Sequence, residues 1–199
     1  DIEYSDNTYA TYRKHYRDRR NMVYAAANDG VLHAFNAGFY DPTKKQFSTD
    51  KHPLGSELWG YIPYNLLGHL QWLTDYNYPH VAYLDGQLKS FDVNIFKADE
   101  DHPYGWGTIL VAGMRFGGGT IEMPKNDSDN NPAKMRSAWV VLDITNPEKP
   151  PKLIAEITDD QLGFTTTNVD IVKRRAPSYS NGKYEQPAFN QWYLAFGSG

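Results

Sequence analysis

Asp127, Asp129 and Asn131, within the run NDSDNNP (126–132), carry side-chain oxygens at positions 1, 3 and 5 of a calcium-type loop. A loop of the EF-hand kind then turns on Gly at position 6 and closes with Glu at position 12. Those positions hold Pro132 and Ala138 here, so the run reads as a solvated surface loop. Asp99, Glu100 and Asp101 beside His102 have the chemistry to gather a cation. Adjacent residues on an extended loop rarely converge, however, so a charged solvated turn is expected, and Asp159-Asp160 reads the same way.

None of the six histidines has a zinc-ligand spacing such as His-Glu-x-x-His. His33 and His80 fall in apolar runs and are expected to be core histidines satisfied by hydrogen bonds. Arg115-Phe116-Gly117-Gly118-Gly119 lacks the Gly-Lys-Ser/Thr of a phosphate loop and the G-x-G-x-x-G order of a dinucleotide site. Its glycines are expected to permit close backbone approach beside a strand. Hydrolysis needs a nucleophile with its base or two opposed carboxylates. There is no Gly-x-Ser-x-Gly, and no carboxylate pair is marked out by its surroundings. No catalytic, cofactor-binding or metal residue is therefore assigned within residues 1–199.

The elements that must carry these residues are mostly strands. The chain holds 15 Tyr, 9 Phe, 5 Trp, 16 Gly and 12 Pro among 199 residues, a mixture suited to many short strands joined by tight turns. That length can bury a substantial core. A net charge of −4 gives no basic field to draw nucleic acid or anionic lipid. The absence of cysteine excludes a disulfide framework and thiolate metal sites. No run approaches the ~20 apolar residues of a membrane span, and no leader pattern is present. Because the sequence starts at Asp1 without Met, a leader or an N-terminal region is expected to have been removed.

Residues 1–21 read as a lead-in helix and linker. Asp6 is placed to cap a short helix on which Tyr9, Tyr12 and Tyr16 share one face. Arg13, Lys14, Arg17, Arg19 and Arg20 make the segment basic, and charged residues usually face water. From Met22 onward the texture is β. Segment 22–37 is two apolar strands around Asn28-Asp29-Gly30, a turn rich in residues that accept positive φ. Segment 80–94 repeats the pattern around Asp85-Gly86. Leu32 then aligns with Leu88, Phe35 with Phe91 and Asn36 with Asp92, which marks an internal repeat.

A looser copy runs through TILVAGMRFGGG (108–119) and SAWVVLDIT (137–145), with Asp143 in the place of Asn36 and Asp92. GSELWGYIP (55–63) and PPKLIAEIT (150–158) supply completing strands, and WYLAFGSG (192–199) opens another copy. Four-stranded units recurring at this interval are what propeller blades look like in sequence. YNLLGHLQWLTD (64–75), with Leu66, Leu70 and Leu73 on one face, reads as an inserted helix. Polar stretches 38–54, 99–105 and 122–136 read as loops. The expected fold is all-β: an incomplete, modified β-propeller over residues 22–199, cut short at its C-terminal end.

Two runs carry a family resemblance. Asn28-Asp29-Gly30, Leu32-His33-Ala34-Phe35 and Glu57, Trp59, Tyr61, Ile62 and Pro63 look like the opening of the C-terminal domain of PilY-type pilus tip proteins. The likeness continues in order through His80, Asp85-Gly86, Trp106, Thr108–Leu110, Gly117–Gly119 and Leu142–Thr145 before Asn146-Pro147.

The resemblance implies a secreted, non-enzymatic adhesin and assembly factor of the type IV pilus, located at the cell surface or pilus tip. Its implied partners are the rest of the same propeller, minor pilins or other tip components, and a host or abiotic surface. Neither nucleic acid nor a membrane span is expected. The family often carries a calcium loop of Asp-x-Asp-x-Asp type in a later blade, and no matching loop occurs before Gly199. An exported scaffold or lectin-like propeller is the alternative. Quinone-dependent dehydrogenases share the propeller plan, but the vicinal cysteines common in them have no counterpart here.

Overall fold

The computed structural model describes residues 7–123, 133–175, 178–180, 183–185 and 190–197. Helix α1 (Asn7–His15) leads into β1 (Asn21–Ala26), β2 (Leu32–Asp41), β3 (Gln46–Ser48) and β4 (Glu57–Tyr61). A 3-10 helix (Tyr64–Thr74) precedes β5 (Leu88–Asn94), β6 (Trp106–Gly113), β7 (Ile121–Glu122), β8 (Lys134–Met135) and β9 (Trp139–Asp143). The described chain ends with β10 (Lys152–Ile157), β11 (Asp170–Arg175), β12 (Ser178–Ser180), β13 (Lys183–Glu185) and β14 (Asn190–Ala195). The molecule is thus mostly β, as expected.

The strands pair antiparallel. In the first sheet β2 is central: β1 and β4 flank its first half, and β3 pairs with its far end. Burial alternates along β2, with Leu32, Ala34, Asn36 and Gly38 inside, as a strand with one covered face requires. The second sheet is a four-stranded meander, β5-β6-β9-β10. Its central strands β6 and β9 are buried at every residue. Strands covered on both faces read as continuous apolar runs, which is how TILVAG and WVVLD appear. Strands β11 and β14 pair as a third sheet, and β12–β13 and β7–β8 form short ribbons.

Two cores explain that burial. Leu110, Ala112, Val140 and Leu142 pack with Leu32, Leu66, Tyr83 and Leu84 on the side of the first sheet. Ile109, Val111, Trp139 and Val141 pack with Val169 and Ile171 on the side of the third. The middle sheet is therefore covered on both faces by neighbouring sheets.

Several expectations are corrected. Residues 80–87 form no strand, so 80–94 is not a hairpin. Tyr83 and Leu84 are buried, but the Tyr83 N–H donates to Asn28 Oδ1 at 2.9 Å instead of joining a ladder. Gly86 abuts strand β6 so closely that a Cβ would stand 2.0 Å from the Gly113 carbonyl. The strand runs that share an order are instead β1-β2-β4 and β6-β9-β10, each antiparallel with its middle strand paired on both sides. Asn36 Oδ1 accepts the Gly38 N–H at 2.9 Å, and Asp143 Oδ1 accepts that of Thr145 at 3.0 Å. Asp92, on edge strand β5, makes no such turn; it accepts the Tyr9 and Thr108 hydroxyls.

The inserted helix is present but wound as 3-10. Its tighter turn does not keep residues seven apart on one side. Leu66 is fully buried, Leu70 is half-buried and Leu73 is exposed. The stretch 38–54 is not all loop, because β2 continues to Asp41 and β3 pairs with it. Asp6 and the NDSDNNP run (126–132) lie outside the described residues.

Candidate functional site

The residues that carry the family resemblance come together as a structural unit. Asp29 closes the β1–β2 turn by accepting the Val31 N–H at 2.9 Å, and Gly30 adopts a φ of +87°. His33, next on β2, stands between two carboxylates, with Nδ1 2.8 Å from Glu57 Oε1 and Nε2 3.0 Å from Asp29 Oδ2. Ionised carboxylates only accept hydrogen bonds, so an imidazolium that donates from both nitrogens satisfies the arrangement. The Glu57 hydrogen bond, with Asp29 behind it, raises the His33 pKa above the ordinary 6.5. His33 is thus a surface clip across β2 and β4, whereas a core position was expected. His80 is exposed outside any strand, which also corrects its expected place in the core.

Trp59 packs beside Tyr24 at 5.7 Å between ring centroids. The Tyr61 hydroxyl donates to Glu156 Oε1 at 3.2 Å, and the same carboxylate accepts the N–H groups of Tyr64 and Asn65. Glu156, on β10, so caps the first turn of the 3-10 helix and ties the Glu57–Pro63 run to the second sheet. Burial, with Glu156 nearby, pushes the Tyr61 hydroxyl up to about 12.

The opposite end of the sheets is organised around Arg20. Its side chain is fully buried, which corrects its expected place on a solvated face. Nε and Nη2 donate to Glu148 at 2.7 and 3.0 Å, Nη2 to Asp50 at 2.7 Å, and Nη1 to Asn36 Oδ1 at 2.9 Å. The guanidinium also lies 4.7 Å from the Phe39 ring centre. A planar fork meeting two carboxylates suits arginine and not lysine. Hydrogen bonds from Arg20 and the His52 backbone hold Asp50 well below the usual carboxylate range.

Helix α1 covers this end through the expected tyrosine face. Tyr12 is buried and shares a 2.6 Å hydrogen bond with Thr108 Oγ1; Tyr9 donates to Asp92 and Tyr16 to the Asp101 carbonyl. The turn at 99–102 is anchored rather than merely solvated. His102 is buried, with Nδ1 2.8 Å from Asp99 and Nε2 3.0 Å from Asp143, and stacks on Phe96. Asp101 pairs with Lys149 at 2.6 Å and accepts from Asn146, which lowers its pKa. Asp99 is a sequence neighbour of His102, but Asp143, 41 residues from His102, and Glu148, 128 residues from Arg20, lie too far along the chain for spacing to reveal them. The Asp29, His33 and Glu57 grouping was signalled only by their shared place in the two resemblance runs.

Among the described residues no three His, Asp or Glu side chains are grouped as cation ligands. No described helix is long and apolar enough to cross a membrane. The glycine run serves close packing: a Cβ on Gly117 would lie 1.8 Å from the Tyr83 carbonyl, and Gly118 has a φ of +73°. What the geometry offers is loop surface at both ends of well-anchored sheets.

No family model matches the chain, and no solved structure matches it. Among curated proteins it is similar to a type IV pilus biogenesis factor PilY1 homolog of Xylella fastidiosa, 30% identical over 134 residues, 67% of this chain and 9% of the relative. A second homolog of that organism is 27% identical over 163 residues, 79% of this chain and 8% of the relative. Type IV pilus biogenesis factor PilY1 of Pseudomonas aeruginosa is 30% identical over 144 residues, 70% of this chain and 10% of the relative. The chain therefore belongs to the PilY1-type family, as a partial domain spanning about a tenth of the length of the curated relatives it matches.

Proposed function

We propose that residues 22–199 are part of one β-propeller domain acting without catalysis in a type IV pilus system, as an assembly factor and adhesin at the cell surface. Its partners are minor pilins or other tip components and the host or abiotic surface, met through loops at the strand ends. The observation that carries the reading is the middle sheet. It is a four-stranded antiparallel meander covered on one face by the first sheet and on the other by the third. Successive meanders stacked face to face are the plan of propeller blades. The names of the PilY1-type relatives support the pilus role.

Anchoring by Arg20, His33, His102 and Glu156 fits a binding module, because loops fixed in advance lose less entropy when a partner docks. In-frame deletion of residues 22–197 from the gene in its own cells should reduce surface pili and twitching. Normal piliation with normal surface attachment would overturn the reading. Quinone-dependent dye reduction by the purified protein would contradict its non-enzymatic part.

A further inference from the structure

Three segments meet at the end of the sheets opposite Arg20: Asp85–Gln87 ahead of β5, Arg115–Gly119 after β6, and Thr165–Asn168 ahead of β11. Arg115 has a φ of +53°, a left-handed conformation that side chains other than glycine seldom adopt. Its N–H donates to Thr165 Oγ1 at 2.9 Å, and an isolated β-bridge joins the two residues. The surrounding structure thus enforces the turn, a pattern that recurs at ligand sites. Beyond it stand Phe116 and Phe164, 56% and 40% exposed, with ring centroids 6.3 Å apart and rings edge to face at 71°. Two exposed phenylalanines side by side form an apolar platform.

A cavity of about 390 Å³ beside this platform is lined by Asp85, Gln87, Arg115, Thr166 and Asn168, among others. A second, of about 290 Å³, is lined by Phe164 with Ser137 and Gly119. Arg115 Nη1 donates to Asp85 Oδ2 at 3.3 Å, so the charges in the first cavity offset one another. The guanidinium lies 5.1 Å from the Phe116 ring centre. The exposed Gln87, Thr166 and Asn168 add amide and hydroxyl groups to the cavity wall.

We propose that this surface is a binding site for a neutral saccharide. Aromatic carbon meets the apolar C–H face of a sugar ring, while fixed carboxylate, guanidinium, amide and hydroxyl groups meet its hydroxyls. Compensated charge removes the attraction that an anionic ligand would need. The inference deepens the adhesive reading above and rests on it for its biological use, but its geometry stands apart from the pilus assignment.

The test is NMR titration of the complete domain that contains these residues with methyl α-D-mannoside, methyl β-D-galactoside and N-acetylglucosamine, together with saturation transfer to the sugar C–H protons. At least one probe should give saturable amide shifts confined to residues 85–87, 115–119 and 164–168. Phe116→Ala should weaken that binding about tenfold, the loss of one stacking contact. Asp85→Asn should weaken it too, and neither change should lower the melting temperature. No saturable shift with any probe, shifts mapping elsewhere, or binding unchanged by Phe116→Ala would overturn the proposal. Pilus number does not enter this readout, so failure of sugar binding and failure of the pilus reading are separate results.

Discussion

His33 and Arg20 show how single side chains set the behaviour of this molecule. The folded pKa of His33 is raised by Glu57 and Asp29. Its contribution is therefore complete below the unfolded value of about 6.5 and is lost as pH rises through the folded value. His33→Gln should flatten the fall in melting temperature on the alkaline side, with an effect of about 0.2–1 kcal/mol for a partly exposed pair. A melting-temperature series across pH compares the two proteins, and an identical slope would refute the clip. Asp50 has the opposite sign: its pKa is lowered, so its contribution is present above its ordinary 3.8 and disappears as pH falls. Arg20→Lys retains the charge but not the fork. It should cost about 1.5–3 kcal/mol in urea unfolding, as charge-assisted hydrogen bonds are lost.

Among the elements, α1 is fixed by its tyrosines and not by intrinsic helix strength, since nine residues is short for an isolated helix. Tyr12→Ala should destabilise by about 3–5 kcal/mol, whereas Tyr12→Phe, which loses only the Thr108 hydrogen bond, should cost about 1 kcal/mol. Protease cleavage near residue 15 should rise in the first variant and not in the second. Gly117→Ala forces a Cβ onto the Tyr83 carbonyl and should cost about 3 kcal/mol in thermal unfolding. Tyrosine spacing made the α1 seam readable from sequence, and continuous apolar runs revealed β6 and β9. The false hairpin at 80–94 arose because an Asp-Gly pair beside apolar residues looks alike whether the preceding segment joins a ladder or packs as a loop. The 3-10 winding was hidden because Leu66, Leu70 and Leu73 suit an α-helix equally well. The burial of Arg20 is not legible in the sequence, because its partner Glu148 is 128 residues away and composition cannot show a basic residue turning inward.

At the scale of the molecule, the first, second and third sheets stack in a row. Lys89, on β5, donates to the Val169 carbonyl at 3.1 Å and pairs with Asp170, fastening the second sheet to the third. The Arg20–Glu148 pair fastens the second to the first. A propeller requires this order to turn about one central axis, whereas a layered sandwich stacks its sheets face to face without such an axis. An experimental structure of a longer protein containing these residues decides between them. The propeller reading predicts that β1-β2-β4, β5-β6-β9-β10 and β11-β14 radiate in sequence about one axis, with further strands added beside β14. Sheets stacked as flat layers with no common axis would contradict it.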